Sequence, residues 1–166
     1  MLKKTICILL IFILCLTVFS ACGNRYSAVL LSDGYELDET FAENNKVGYG
    51  YYDQDGTIKY RDEEGIERPK EIVRVIGSRE EAKEIFSSFS AKVDYKKEML
   101  IVYVFMSISP RRCRVRKTKK ENDTVFIELR YQRKFFAKDA TSPQQKIFVI
   151  KMKKTEAKEF RIKVEY

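Results

Sequence analysis

The sequence predicts an α+β fold in one domain, a mostly antiparallel sheet with one main amphipathic helix packed on it, and three stretches carry that expectation. Ser78 and Glu81 have the spacing of a capping box, and Ala82, Ile85, Phe86 and Phe89 then fall at i, i+3, i+4 and i+7. This predicts a helix to about Phe89 with one apolar stripe facing a sheet. Met99 to Met106 is an unbroken apolar and aromatic run, which is what a strand covered on both faces requires and places it near the centre of the sheet. From Cys113 onward the apolar residues alternate with polar ones, as they do in strands with one wet face. Strands grouped with few helices, rather than a strict strand–helix alternation, make the class α+β.

In chain order, Lys3 and Lys4 precede an apolar run from Ile6 to Phe19, and Ser20 and Ala21 follow it. Charge, greasy core and small residues in this order form a secretory signal. The run is shorter than the ~20 residues that a membrane-spanning helix needs, so cleavage is expected rather than an uncleaved anchor. A cysteine stands directly after the two small residues. This stretch, Val18-Phe19-Ser20-Ala21-Cys22, resembles the lipobox of bacterial lipoproteins, with Phe19 where the family usually has leucine or another aliphatic residue. The resemblance implies cleavage between Ala21 and Cys22 and a diacylglyceryl group on the Cys22 sulfur, hence a membrane-anchored chain facing the extracytoplasmic side. Cys15 follows the bulky Ile13 and Leu14, and Cys7 lies deep in the apolar run, so neither competes for this role.

Without residues 1–21 the chain has a length suited to a single domain with a real core. We divide it into a signal peptide (1–21), a tether (22–46) and an α+β domain (47–166). Of its cysteines the mature chain keeps Cys22 and Cys113, and a lipidated Cys22 leaves Cys113 no internal disulfide partner. Arg112 and Arg114 flank Cys113 and would lower a thiol pKa, but its alternation with Val115 reads as a buried strand position. The chain has no histidine, which excludes Ser-His-Asp and Cys-His catalysis and histidine-rich metal sites. Charge is uneven: residues 22–98 have a net charge of −5, and residues 99–166 one of +11. A basic half on a protein tethered to a membrane fits attraction to anionic lipid or an acidic surface polymer; equally, it fits solvated strand faces.

Within the tether, Ala28 to Leu31 is an apolar piece able to add an edge strand. Tyr49 to Tyr60 reads as a hairpin turning at Asp55-Gly56, since glycine tolerates the left-handed backbone of such turns. Asp53, Asp55 and Gly56 look like half of a calcium loop, but the third spaced oxygen ligand and the glutamate are missing. Tyr49, Tyr51 and Tyr52 are candidates for a stacking platform for sugar or peptide, against the alternative of cross-strand packing. Arg61 to Lys70 is a charged loop, and Ile72 to Ile76 a strand ended by Gly77. Past the central run, strands are expected at Cys113–Val115, Val125–Tyr131, Ile147–Ile150 and Phe160–Tyr166. The sequon Asn122-Asp123-Thr124 is explained by a turn. No internal repeat is visible.

Residues 72–153, with a Ser-initiated helix, Val93-Asp94-Tyr95 leading into the apolar strand, alternating strands and a final Ile-Phe-Val-Ile-Lys, resemble the PrcB C-terminal domain of protease-complex lipoproteins. Ser107 to Arg112 stands where that family often has a Gly-Gly-Tyr-like turn. The resemblance implies a non-catalytic accessory that binds and stabilises a surface protease or another exported protein. No cofactor is expected. The row Arg112, Arg114 and Arg116 lies on one face of a strand, and either Glu128 on the next strand or an acidic partner would meet it. Tyr131 to Phe136 interleaves bases with aromatics as single-strand nucleic-acid binders do, but an exported chain is not expected to meet nucleic acid. Two rival functions are an enzyme acting on the cell wall or its polymers through carboxylates such as Glu63 and Glu64, and a structural or solute-capturing lipoprotein.

Overall fold

The computed structural model describes residues 27–109, 112–132, 140 and 142–165. The signal region, with Ala21 and Cys22, lies outside the described residues, as do Arg111 and the stretch Arg133 to Phe136. The described chain is mostly antiparallel β-structure with two short helices.

Its middle layer is a four-stranded antiparallel sheet in the order β1 (Ala28–Leu31), β10 (Gln144–Lys153), β7 (Glu98–Ser107) and β5 (Glu71–Ile76). A second sheet, β11 (Glu159–Glu165), β9 (Thr124–Tyr131) and β8 (Cys113–Glu121), stacks on one face of the first. Ile101, Tyr103, Phe105, Ile150 and Met152 there meet Val125, Ile127, Leu129 and Ile162. The other face is covered by α1 (Glu39–Asn44), α2 (Arg79–Ile85) and a pair of short strands, β2 (Tyr35–Leu37) and β6 (Phe86–Phe89). Phe41, Ala82, Phe86 and Phe89 pack there on Leu100, Val102 and Val104. The apolar run of β7 is thus explained: alternate residues enter two different cores, and both faces are dry.

Three expectations need correction. The helix stops at Ile85 instead of Phe89. Its start is as expected, with Ser78 Oγ accepting from the Glu81 amide and Glu81 accepting from the Gly77 amide. Past the last turn, Ser87 and Ser88 are poor helix formers, and residues 86–89 gain a strand partner in β2. The tether also yields ground: residues 28–46, apart from the anticipated edge strand β1, supply β2 and α1, which cap the second core. Finally, β11 is parallel to β9, not antiparallel to a neighbour. Parallel strands need a crossover, and here it is β10, which passes through the other sheet between them.

The hairpin β3 (Tyr49–Tyr52) and β4 (Ile58–Arg61) stands apart from both sheets. Its turn is longer than the two residues expected: Asp53 pairs with Thr57 through backbone, and Gly56 takes φ +75°. Asp53 Oδ1 accepts from the amides of Asp55 and Thr57. The next turn repeats this plan at the same spacing, with Asp62 accepting from Glu64 and Ile66 and Gly65 at φ +82°. Even the cation is repeated, Lys59 on Asp53 at 3.4 Å and Arg68 on Asp62 at 2.7 Å. A repeat, missed in the sequence, is therefore present from 53 to 68. At its base Gly48 is required, because a Cβ there would lie 2.4 Å from the Arg61 amide nitrogen.

Candidate binding surfaces

The outer face of the β11-β9-β8 sheet faces water and carries a row of basic residues from the C-terminal half. At the start of β8, Arg112 just before it and Arg114 within it are exposed on either side of buried Cys113. A bulge between Val115 and Lys117 then shifts the alternation by one, so Arg116 and Lys117 are both exposed and Thr118 is buried. The three arginines do project from one face, as their spacing predicts, yet they are not equivalent. Arg116 Nη1 lies 2.6 Å from Glu165 and 3.8 Å from Glu128. Arg114 instead faces another arginine, Arg130, across the β8–β9 pair. Among the described residues no carboxylate pairs with either of them.

The acidic residues of this face are engaged elsewhere. Glu159 accepts from Arg161 at 2.8 Å, Glu121 from Lys119, and Lys163 lies 3.5 Å from Glu165. The Arg161 guanidinium, with Thr124 helping, holds the Glu159 carboxyl below the usual carboxylate range. Lys117 stands opposite Glu128, and Glu165 lies beside Arg130 in the register with β11, so what has no carboxylate within ion-pair distance among the described residues is Arg112, Arg114 and Arg130. Sequence reasoning missed Arg130. The adjacent exposed pair Arg116-Lys117 was the available signal, since two wet residues in succession within an alternating strand mark a bulge and reset the register. Behind this face, burial pushes the Cys113 thiol up to about 12, so the flanking arginines do not activate it.

The tyrosine hairpin does not present Tyr49, Tyr51 and Tyr52 on one face. Successive residues of a strand point to opposite sides, so Tyr49 and Tyr51 share one face with Lys59 and Arg61, and Tyr52 shares the other with Ile58 and Tyr60. The Arg61 guanidinium lies 4.4 Å from the centre of the Tyr51 ring, a cation–π contact that occupies that ring. Tyr52 is 75% exposed and beside the exposed Ile58. The Asp53 carboxyl, the centre of the incomplete calcium pattern, is lowered in pKa mainly by the Thr57 amide and serves the turn. Among the described residues no cluster of three or more acidic or cysteine side chains is placed to hold a metal ion. Glu63 and Glu64 sit exposed at the tip of the second turn, with the Glu64 amide bound to Asp62.

Between the hairpin and the open side of the stacked sheets lies a cleft of about 540 Å³. Tyr49, Tyr60, Tyr103 and Phe105 line it together with Ile162 and Val164 of β11, and Lys70 and Lys163 stand at it. Inside, the Tyr103 hydroxyl donates to Glu71 at 2.8 Å, and the rings of Tyr103 and Phe105 stack with centres 4.8 Å apart. Among the described residues no helix is long and apolar enough to cross a membrane. Compared with protein-family models, curated proteins and solved structures, the chain matches none.

Proposed function

We propose that this chain is a lipoprotein, anchored to the membrane through Cys22 and facing the extracytoplasmic side, whose single α+β domain binds an exported protein without catalysing a reaction. The observation that carries the reading is the arginine end of the outer sheet, where Arg114 stands opposite Arg130 and neither has a carboxylate within ion-pair distance among the described residues. Two guanidinium groups side by side in water repel modestly, and an acidic partner turns that cost into an attraction that steers association. The partner surface is therefore acidic. An accessory role beside a surface protease, as the PrcB resemblance implies, is one form of this function. Glu63 and Glu64 give no support to a carboxylate enzyme: exposed carboxyls on a turn lack the burial that adjusts an acid for catalysis.

Anchoring is tested at Cys22. Two acyl chains hold a protein on a bilayer at ~0.8 kcal/mol per buried methylene, so Cys22→Ser is expected to lose fatty-acid label and either leave the membrane or persist as precursor. Equal metabolic labelling of both forms would remove the lipoprotein reading.

A further inference from the structure

The two stacked sheets are of unequal width. The middle sheet has four strands and the outer one three, and they are aligned at the β1 side, where β8 lies against β1. The shortfall therefore falls at the opposite side, over β5. There Glu71, Val73 and Val75 share the face that carries Tyr103 and Phe105, toward the outer sheet, but among the described residues no outer strand lies over them, and of the valines Val73 is half-buried against the core and Val75 is exposed. Val75 is 42% exposed as a result, although its neighbour Ile76, on the other face, is fully buried.

The strand that stops short is β11. Alternate peptide groups of β11 point away from β9, and among the described residues they have no backbone partner on that side. Free edges are ordinarily guarded by a proline, a bulge or an inward-pointing charge. This one lacks all three, and its charges, Glu159, Arg161, Lys163 and Glu165, lie on the outward face. Its register with β9 is unbroken, it contains no proline, and its inward residues are Phe160, Ile162 and Val164. A straight edge with an apolar inward face, beside the exposed Val75, is the setting for strand addition, in which main-chain hydrogen bonds supply affinity and alternate side chains fill the cleft.

We infer that the open side of the stacked sheets takes an extended segment of a partner protein as a fourth outer strand, paired with β11. The segment alternates small apolar side chains, which turn inward onto Val73 and Val75, with acidic ones. The acidic positions follow from the charges that line the cleft, two lysines, Lys70 and the exposed Lys163, which lies 3.5 Å from Glu165, against one carboxylate, Glu71, which accepts from the Tyr103 hydroxyl. This rests on the reading of the chain as a protein-binding module and names the chemistry of what it binds; it does not depend on the anchor.

The test uses the full chain in detergent and a short labelled peptide alternating valine and glutamate. Fluorescence anisotropy measures binding, and hydrogen exchange locates it. The peptide is expected to bind and to slow amide exchange in β11. N-methylating the peptide along one edge, or replacing its glutamates by lysine, should each weaken binding at least about tenfold, because the first removes the main-chain bonds and the second reverses the charge. Val75→Glu should weaken it similarly at an unchanged melting temperature, since that side chain is already partly in water. Binding that ignores N-methylation, an absence of binding, or β11 amides protected in a dimer of the free chain would each overturn the inference. Of the arginine cluster, Arg112 and Arg114 lie at the other edge of the outer sheet, by β8, and Arg130 on its central strand. If the peptide fails while arginine-dependent, salt-sensitive association persists, this inference alone falls; if both fail, the binding function falls with it.

Discussion

The middle and outer sheets are both built from strands of seven to ten residues at their centres, yet water reaches neither face of β7 and one whole face of β8, β9 and β11. That difference separates what holds the molecule together from what it can offer a partner. On β7 every side chain from Met99 to Phe105 is buried, and a change at any of them is felt in one of two cores. On the outer sheet only alternate positions are tied to the core. Between them the chain is free to carry charge, and it carries an excess of one sign.

The most severe break of the comparison is a charge in the middle of β7. Val104 is fully buried under the helical layer, and Val104→Asp would place a carboxylate among apolar side chains. The expected cost is several kcal/mol, comparable with the whole stability of a domain of this size. Circular dichroism should show an unfolded or insoluble chain, and an unchanged melting curve would mean that this face of β7 is not covered.

A finer contrast lies within one strand. Leu129 and Arg130 are neighbours on β9, the first fully buried between the sheets and the second exposed. Leu129→Ala should cost about 2–5 kcal/mol through lost contacts and a residual cavity, whereas Arg130→Gln should stay within about 0.5 kcal/mol. Urea unfolding of the two variants measures this. Similar losses would show that the outer face is structural after all.

How much of this was legible follows the same division. The central strand could be read directly, because no polar residue interrupts Met99 to Met106 and only burial on both faces explains that. The hairpin was legible from Asp55-Gly56, and the helix start from Ser78 and Glu81, since these signals are local. The helix end was not. Phe86 and Phe89 fit a helical stripe as well as a short strand, and the deciding partner, Tyr35–Leu37, lies some fifty residues away. The parallel position of β11 is equally non-local, set by where β10 crosses. For the site, the spacing of Arg112, Arg114 and Arg116 put them on one face, which is where they are. Their partners depend on the bulge at Arg116, which gives Arg116 to Glu165 and sets Arg114 against Arg130.

The central claim is that the unpaired arginine end of the outer sheet binds an acidic protein partner. It is tested most directly by pulldown of native membranes with the chain lacking residues 1–22, comparing wild type with a variant in which Arg112, Arg114 and Arg130 are all glutamine, at low and high salt. Anionic liposomes run in parallel separate a lipid surface from a protein. With the fold unchanged in both forms, wild type is expected to capture membranes at low salt, to lose them as salt screens the charges, and to capture them far better than the variant, with little binding to liposomes. Equal capture by wild type and variant at low salt would contradict the account and leave the arginines as a solvated face.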